Sequence, residues 1–256
     1  MTSRNHRLPP HHLPAYYSVM PSPEKIAYIT GATQGIGRAT ALALGRAGYA
    51  VGLVARTESD VDDLANELSR EGIEAAGAAA DVGNPDQAQR AVDDLTRSLG
   101  SADVLVNNAG VLIAKPFEQL TLEDWDATMG TNVRSLFLMT RAVLPAMRRQ
   151  KRGAIVNVAS LAGRNGFVGG TAYTASKHAV LGFSRSLMLE TRKENIRVIA
   201  ICPGSVDTGL IRDQSMLKSD PLRILKPADV AETIVHAINL PERALVSELD
   251  IRPTNP

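Results

Sequence analysis

The chain has 256 residues, 44% of them hydrophobic and 21% charged, enough to bury a full core and of a length that fits one α/β domain better than two small ones. Its formal net charge is +1, and the only basic cluster, Arg148-Arg149-Gln150-Lys151-Arg152, is short, which argues against a nucleic-acid partner. One cysteine, Cys202, excludes an internal disulfide and a cysteine zinc cage, and no apolar run reaches the roughly eighteen residues of a membrane span; a cytoplasmic protein is expected.

Residues 1–24 carry Pro9, Pro10, Pro14, Pro21 and Pro23 without an apolar period, so a disordered N-terminal tail is expected, with Met20 as a second candidate start. His11 and His12 have no acidic or cysteine partner at ligand spacing, and no metal site is expected. The domain is expected over 25–256. Ile26 to Ile29 is a short apolar run, followed by Thr30-Gly31-Ala32-Thr33-Gln34-Gly35-Ile36-Gly37 and by alanines and leucines at helical spacing up to Gly48. This is a strand, a glycine loop and a helix. Gly31 permits the turn, Gly35 lets backbone approach a pyrophosphate, Gly37 lets the helix pack closely, and the helix N-terminus offers N–H groups to phosphate.

A second strand, Tyr49 to Val54, ends beside Arg56, where a dinucleotide fold reads the adenosine ribose. A guanidinium there suits the 2′-phosphate of NADP, and a carboxylate there would suit NAD; NADP is favoured, with NAD still open. Val61 to Leu68 is an amphipathic helix and Glu74 to Ala80 a weak strand leading into Asp81-Val82, where an acceptor takes the adenine amino group or caps the helix that begins near Pro85. Asp103 to Val106 is a buried strand ending in Asn107-Asn108-Ala109-Gly110. A long helical region from about Leu122 to Met147 contains Asn132, whose amide needs partners if buried and is either functional or a distorter of the helix.

Ala154 to Val158 is another buried strand, with Ser160 just past its C-terminal end, the edge at which open α/β sheets bind ligands. A helix to about Arg192 then places Tyr173 and Lys177 four residues apart on one face. A free tyrosine titrates near ~10, and a neighbouring cation favours its phenolate, so the pair can exchange a proton near neutral pH. Arg197 to Ile201 is a strand closed by Pro203-Gly204-Ser205-Val206-Asp207-Thr208. The irregular stretch at 205–226 reads as a mobile lid containing Arg212, Lys218 and Arg223; a helix from Pro227 to Leu240 and a last strand from Ala244 to Leu249 follow.

In order and spacing, the glycine loop, Asp81-Val82, Asn107 to Gly110, Asn132, Ser160, Tyr173-x-x-x-Lys177 and Pro203-Gly204 resemble the short-chain dehydrogenase/reductase family over about Lys25 to Leu249. The resemblance implies a single-domain, doubly wound Rossmann fold with a mostly parallel seven-stranded sheet and a homodimer or homotetramer packed through the helices that carry Asn132 and Tyr173. It implies a catalytic set of Asn132, Ser160, Tyr173 and Lys177. Tyr173 would be the acid/base, Lys177 would lower its pKa and hold the nicotinamide ribose, Ser160 would polarise the substrate oxygen, and Asn132 would hold a water. Asn107, Asn108, Ala109 and Gly110 would wall the cofactor, joined by Gly31, Thr33, Gln34, Gly35, Ile36, Gly37, Arg56, Asp81, Val82, Pro203, Gly204, Val206 and Thr208. The implied reaction is hydride transfer between NADP(H) and a small alcohol/carbonyl substrate. The ending Ser247 to Thr254 lacks the Val-Asp-Gly-Gly of 3-oxoacyl-carrier-protein reductases and is similar to the serine and 3-hydroxy acid dehydrogenase branch, in which Arg212, Lys218 and Arg223 would receive a carboxylate. The alternatives are 3-oxoacyl thioester reduction and, from another class, a non-catalytic cofactor sensor or scaffold.

Overall fold

The computed structural model describes residues 25–212, 223–241 and 243–254. The expected tail at 1–24 and Lys218 of the expected lid lie outside the described residues. Seven strands form one all-parallel sheet: β1 (Lys25–Thr30), β2 (Tyr49–Ala55), β3 (Ala75–Ala79), β4 (Val104–Asn107), β5 (Gly153–Val158), β6 (Ile196–Pro203) and β7 (Glu248–Ile251), in the order β3-β2-β1-β4-β5-β6-β7. The order reverses between β1 and β4, and a doubly wound sheet opens a crevice at such a point.

The strands are apolar almost throughout because both faces are covered. On β1, Ala27 and Ile29 enter one core with Leu44 of α1 (Gly35–Arg46), Val61 and Leu64 of α2 (Glu58–Arg70) and Ile234. Tyr28 points to the other face, against Leu95 of α3 (Pro85–Leu99) and the helices described next. Each fully buried Leu or Ile in these layers contributes about 1.5–3 kcal/mol.

The helical stretch expected from Leu122 is broken. α4 (Leu122–Met129) passes through a single π-type turn at Gly130–Arg134 into α5 (Ser135–Gln150). Buried Asn132 lies in that turn, with its amide bonded to Val111 across the site, so the side chain is satisfied at the expense of regular helix. Leu122 and Trp125 on α4 and Phe137 on α5 are exposed apolar residues. α6 (Thr171–Thr191) runs one residue short of its expected end.

One expectation near the C-terminus is corrected. The last strand is Glu248–Ile251, later than Ala244 to Leu249, because Glu248 pairs with Ala200 and Ile251 with Pro203; this carries β7 to the same edge as the end of β6. The described ends of the expected lid are hydrogen-bonded to each other at its base. Leu225 donates to Ser205 and accepts from Asp207, α7 (Gly209–Arg212) follows directly, and α8 (Pro227–Ile238) packs on α1.

Candidate active site

The glycine loop turns on two left-handed residues, Gly31 (φ 61°) and Gly35 (φ 53°), a conformation that a side chain disfavours. Gly37 is needed for space: a Cβ there would lie 2.1 Å from the Gly31 carbonyl oxygen. Gln34 precedes α1 without a capping side-chain bond, leaving the first-turn N–H groups directed at the crevice. Asn108 clamps the end of β4 to this loop. Its Nδ2 donates to the carbonyls of Thr30 and Gly31 (2.9 and 3.1 Å), while the N–H groups of Asn108 and Ala109 donate to Thr30 Oγ1 (3.0 Å each). This bracing role carries no signal in the sequence beyond the Asn-Asn-Ala-Gly string.

Asn107 faces away from the crevice, contrary to its expected place in the cofactor wall. It donates to Asn157 Oδ1 (2.9 Å) and Thr140 Oγ1 (3.2 Å), and Asn157 donates to Ser184 Oγ (2.8 Å), tying β4 and β5 to α5 and α6 inside the helical layer.

A cavity of about 660 Å³ opens at the C-terminal sheet edge. It is lined by Gly31, Gln34, Gly35, Ile36, Arg56, Asn108, Ala109, Gly110, Ser160, Tyr173, Lys177, Pro203, Gly204, Val206 and Thr208, all of them candidates from the sequence. Thr33, Gly37, Asp81, Val82 and Asn132 do not line it. Val82 is buried in the helical core, and Asp81 is exposed, accepting from the Gly83 N–H (2.9 Å). Helix α3 is capped by Asn84, so Asp81 is not its cap.

At the centre of this edge, Ser160 Oγ accepts from the Ala162 N–H (3.1 Å), capping a 3-10 turn at Leu161–Gly163, and donates to the Pro203 carbonyl (3.5 Å), while its hydroxyl lies close enough to Tyr173 to act on the phenol. Lys177 lies one turn after Tyr173. Its Nζ donates to the Val158 carbonyl (2.9 Å) and sits 5.6 Å from the centre of the tyrosine ring. The Phe167 ring meets Tyr173 edge-on at 6.2 Å. Asn132 stands behind them: its two amide protons go to the Val111 carbonyl and Ser176 Oγ, and its Oδ1 accepts from the Val111 N–H. A Cβ on Gly110 would come within 3.3 Å of Asn132 Oδ1 and 3.7 Å of Lys177 Nζ, so its absence keeps open a gap between the two.

Burial dominates the electrostatics. It pushes the Tyr173 hydroxyl up to about 12, against a smaller lowering by the Ser160 hydrogen bond, and pulls Lys177 down to about 8. For the protein alone burial sets the direction, so Tyr173 keeps its proton at neutral pH, and Lys177 is still mostly charged. Cys202 is buried, with its thiol pushed up to about 11 by desolvation, and is a packing residue as expected.

The lysine carries a stability prediction. With a folded pKa near 8 against the ordinary 10.5, the unfolded chain binds more protons between those values, so the destabilisation from Lys177 is full below pH 8 and fades as pH rises to 10.5. The difference corresponds to about 3 kcal/mol, less about 1 kcal/mol for the hydrogen bond to Val158. Lys177→Met should melt several degrees above wild type at pH 7, about 2–4 °C per kcal/mol. The gap should narrow as pH approaches 10.5 in paired thermal scans; a gap that ignores pH contradicts the assignment.

The family model for short chain dehydrogenases matches residues 25–217. The chain belongs to the short chain dehydrogenase family. It is 46% identical over 189 residues to a Streptomyces virginiae protein named for a ketoacyl reductase of monensin polyketide synthase, covering 73% of this chain and 72% of that one. Among solved structures, an actinorhodin polyketide ketoreductase variant with NADPH superposes with a TM-score of 0.85 at 32% identity, over 92% of this chain and 98% of that one. A closed form of serine dehydrogenase complexed with NADP+ superposes with a TM-score of 0.82 at 30% identity, covering 89% and 94%. The chain is thus an oxidoreductase of this family, and among the described residues no helix is long and apolar enough to cross a membrane.

In this short chain dehydrogenase the end of the cavity at Tyr173 is apolar on one side, where Leu112, Phe167 and Ile211 pack around the tyrosine. One cation expected in the lid, Arg212, is placed otherwise. Arg212 is paired with Asp207 (3.0 Å), which also binds Lys226 (3.0 Å), so Arg212 is engaged away from the cavity lining. Arg252, which no sequence motif singled out, borders the cavity instead.

Proposed function

We propose that this short chain dehydrogenase is an NADP-dependent oxidoreductase that interconverts a small alcohol and its carbonyl compound, with Tyr173 as acid/base. The observation that carries the reading is the convergence of Ser160, Tyr173 and Lys177 on the cavity that also holds the glycine loop and Arg56. A sensor or scaffold needs the loop but has no use for a proton donor beside it.

The residues fit a nicotinamide dinucleotide phosphate. The left-handed glycines and the uncapped start of α1 leave donors for the pyrophosphate, and exposed Arg56 borders the cavity where the 2′-phosphate of the adenosine ribose belongs. When bound, the cofactor supplies or accepts the hydride. In reduction, Tyr173 gives its proton to the substrate oxygen as charge develops there, and Ser160 donates a hydrogen bond to the same oxygen. Once the Tyr173 proton has left, the Lys177 ammonium stabilises the phenolate, which the buried hydroxyl resists in the resting protein. The gap beside Gly110 gives a water room to connect Lys177 with Asn132 Oδ1, which accepts from the Val111 N–H and has a second lone pair. Oxidation runs the same path in reverse. The single buried thiol fits a cytoplasmic enzyme.

The test is cofactor choice by wild type and Arg56→Ala, read as kcat/KM for NADPH and NADH with one ketone. A charge-assisted bond to phosphate is worth about 1.5–3 kcal/mol, so the NADPH:NADH ratio should fall about 10–100-fold in the variant, mostly through KM. An unchanged ratio removes Arg56 from the site.

A second reading, reduction of a 3-oxoacyl thioester, is supported by the 46% identity to the Streptomyces protein named as a ketoacyl reductase. The serine dehydrogenase likeness supports a hydroxy acid substrate instead. Both use the proton chemistry above and differ at the mouth of the cavity.

A further inference from the structure

We propose that Arg252 is a specificity residue that receives an anionic group, a carboxylate or a phosphate, on the part of the substrate remote from the reacting carbonyl. This rests on the carbonyl/alcohol reading above and names the charge that its substrate bears.

Three observations carry it. Position comes first. Arg252 directly follows β7, and the Gly204 N–H donates to the Ile251 carbonyl (2.8 Å), while a Cβ on Gly204 would sit 3.3 Å from Pro253 and 3.4 Å from Leu161. The segment bearing Arg252 is therefore pressed against Leu161 and Gly204, neighbours of Ser160, at the reacting end of the cavity. Strand β7 is five places from β2 in the sheet, so at about 4.8 Å per strand Arg252 stands roughly 24 Å from the region of Arg56. The two cations serve opposite ends.

The second observation is the charge around it. Arg164, Arg185 and Arg252 share Glu248 and Asp250, three guanidiniums against two carboxylates. Arg164 takes the short bond to Asp250 (2.7 Å) and also reaches Glu248, which Arg185 binds as well. Arg252 is left with the longest contact of the group, 3.4 Å to Asp250 Oδ2. Among the described residues, the surplus positive charge of this cluster falls on the member that borders the cavity.

The third is accessibility. The Arg252 side chain keeps 56% of its surface exposed, so it can turn a planar fork toward carboxylate or phosphate oxygens without unmaking a buried pair. Arg212, the cation expected for this task, is already held by Asp207.

The experiment uses the full chain with NADPH and two matched pairs of 3-oxo compounds. Acetoacetate against ethyl acetoacetate tests a carboxylate; S-acetoacetyl phosphopantetheine against its neutral N-acetylcysteamine thioester tests a phosphate. In one pair, wild type should prefer the charged member, and in Arg252→Gln the charged-to-neutral ratio of kcat/KM should fall about tenfold or more through KM, with Arg252→Lys recovering part of it. The pair that responds names the anion. A ratio that stays within about twofold of wild type in both pairs overturns the subsite while leaving the reductase reading standing. No turnover of any of the four by wild type overturns the reductase reading and the subsite with it.

Discussion

Tyr173→Phe should lower kcat/KM for carbonyl reduction by about 10²–10⁴-fold, the span that a positioned general acid contributes. NADPH affinity should change only a few-fold, because the ring keeps its edge contact with Phe167 and Lys177 keeps its bond to the Val158 carbonyl. The reasoning follows the proton. Burial holds it on the hydroxyl until a substrate oxygen begins to take negative charge; Ser160 can hydrogen-bond that oxygen, but an alcohol gives up its proton far less readily than a phenol, and the Lys177 ammonium is anchored on the Val158 carbonyl. Steady-state NADPH oxidation beside a fluorescence titration of NADPH separates the two quantities. Turnover surviving within about tenfold would take the proton away from Tyr173.

The second large effect belongs to Gly37. In Gly37→Ala the new Cβ would meet the Gly31 carbonyl oxygen at 2.1 Å and Asn108 Nδ2 at 2.5 Å, and the first of these is backbone, so the glycine loop and α1 must part. The expected cost is about 1–3 kcal/mol, seen as a fall in melting temperature of several degrees, together with weakened NADPH binding as the loop loses its shape. The same substitution at exposed Gly182 in α6, where nothing lies within 4 Å, should be neutral or stabilise by about 0.4–1 kcal/mol. Differential scanning calorimetry of both variants checks the contrast. Equal behaviour would mean that the close approach of α1 to the loop is not what Gly37 is for.

Much of this site was legible in the residue order because its parts are local. The glycine loop, the phenol and ammonium four residues apart, and the serine just past a buried strand each need only a short window. The fold places them together because every strand is parallel, so all their C-terminal ends reach one edge. Features set by distant contacts were not legible. The π-type turn at Asn132 exists because Val111, twenty-one residues earlier, accepts and donates to its amide. Asn107 resembles its neighbours in the string yet faces the helices, since strand alternation sends it to the side opposite Asn108. Arg212 reads as an available cation until Asp207 is found beside it. The tyrosine pKa depends on burial, which i,i+4 spacing does not report. For β7, apolar content alone placed the strand at Ala244 to Leu249, and the pairing with β6 moved it to Glu248–Ile251.

The most direct test follows the hydrogen itself. Wild-type protein is incubated with NADPH deuterated at both C4 positions and a set of small ketones and 3-oxo compounds, and any alcohol formed is analysed by mass spectrometry. The account predicts one deuterium on the former carbonyl carbon and a solvent-derived proton on oxygen. NADPH bound but unconsumed, or an alcohol without deuterium at that carbon, would contradict it and favour a cofactor-sensing protein built on the same fold.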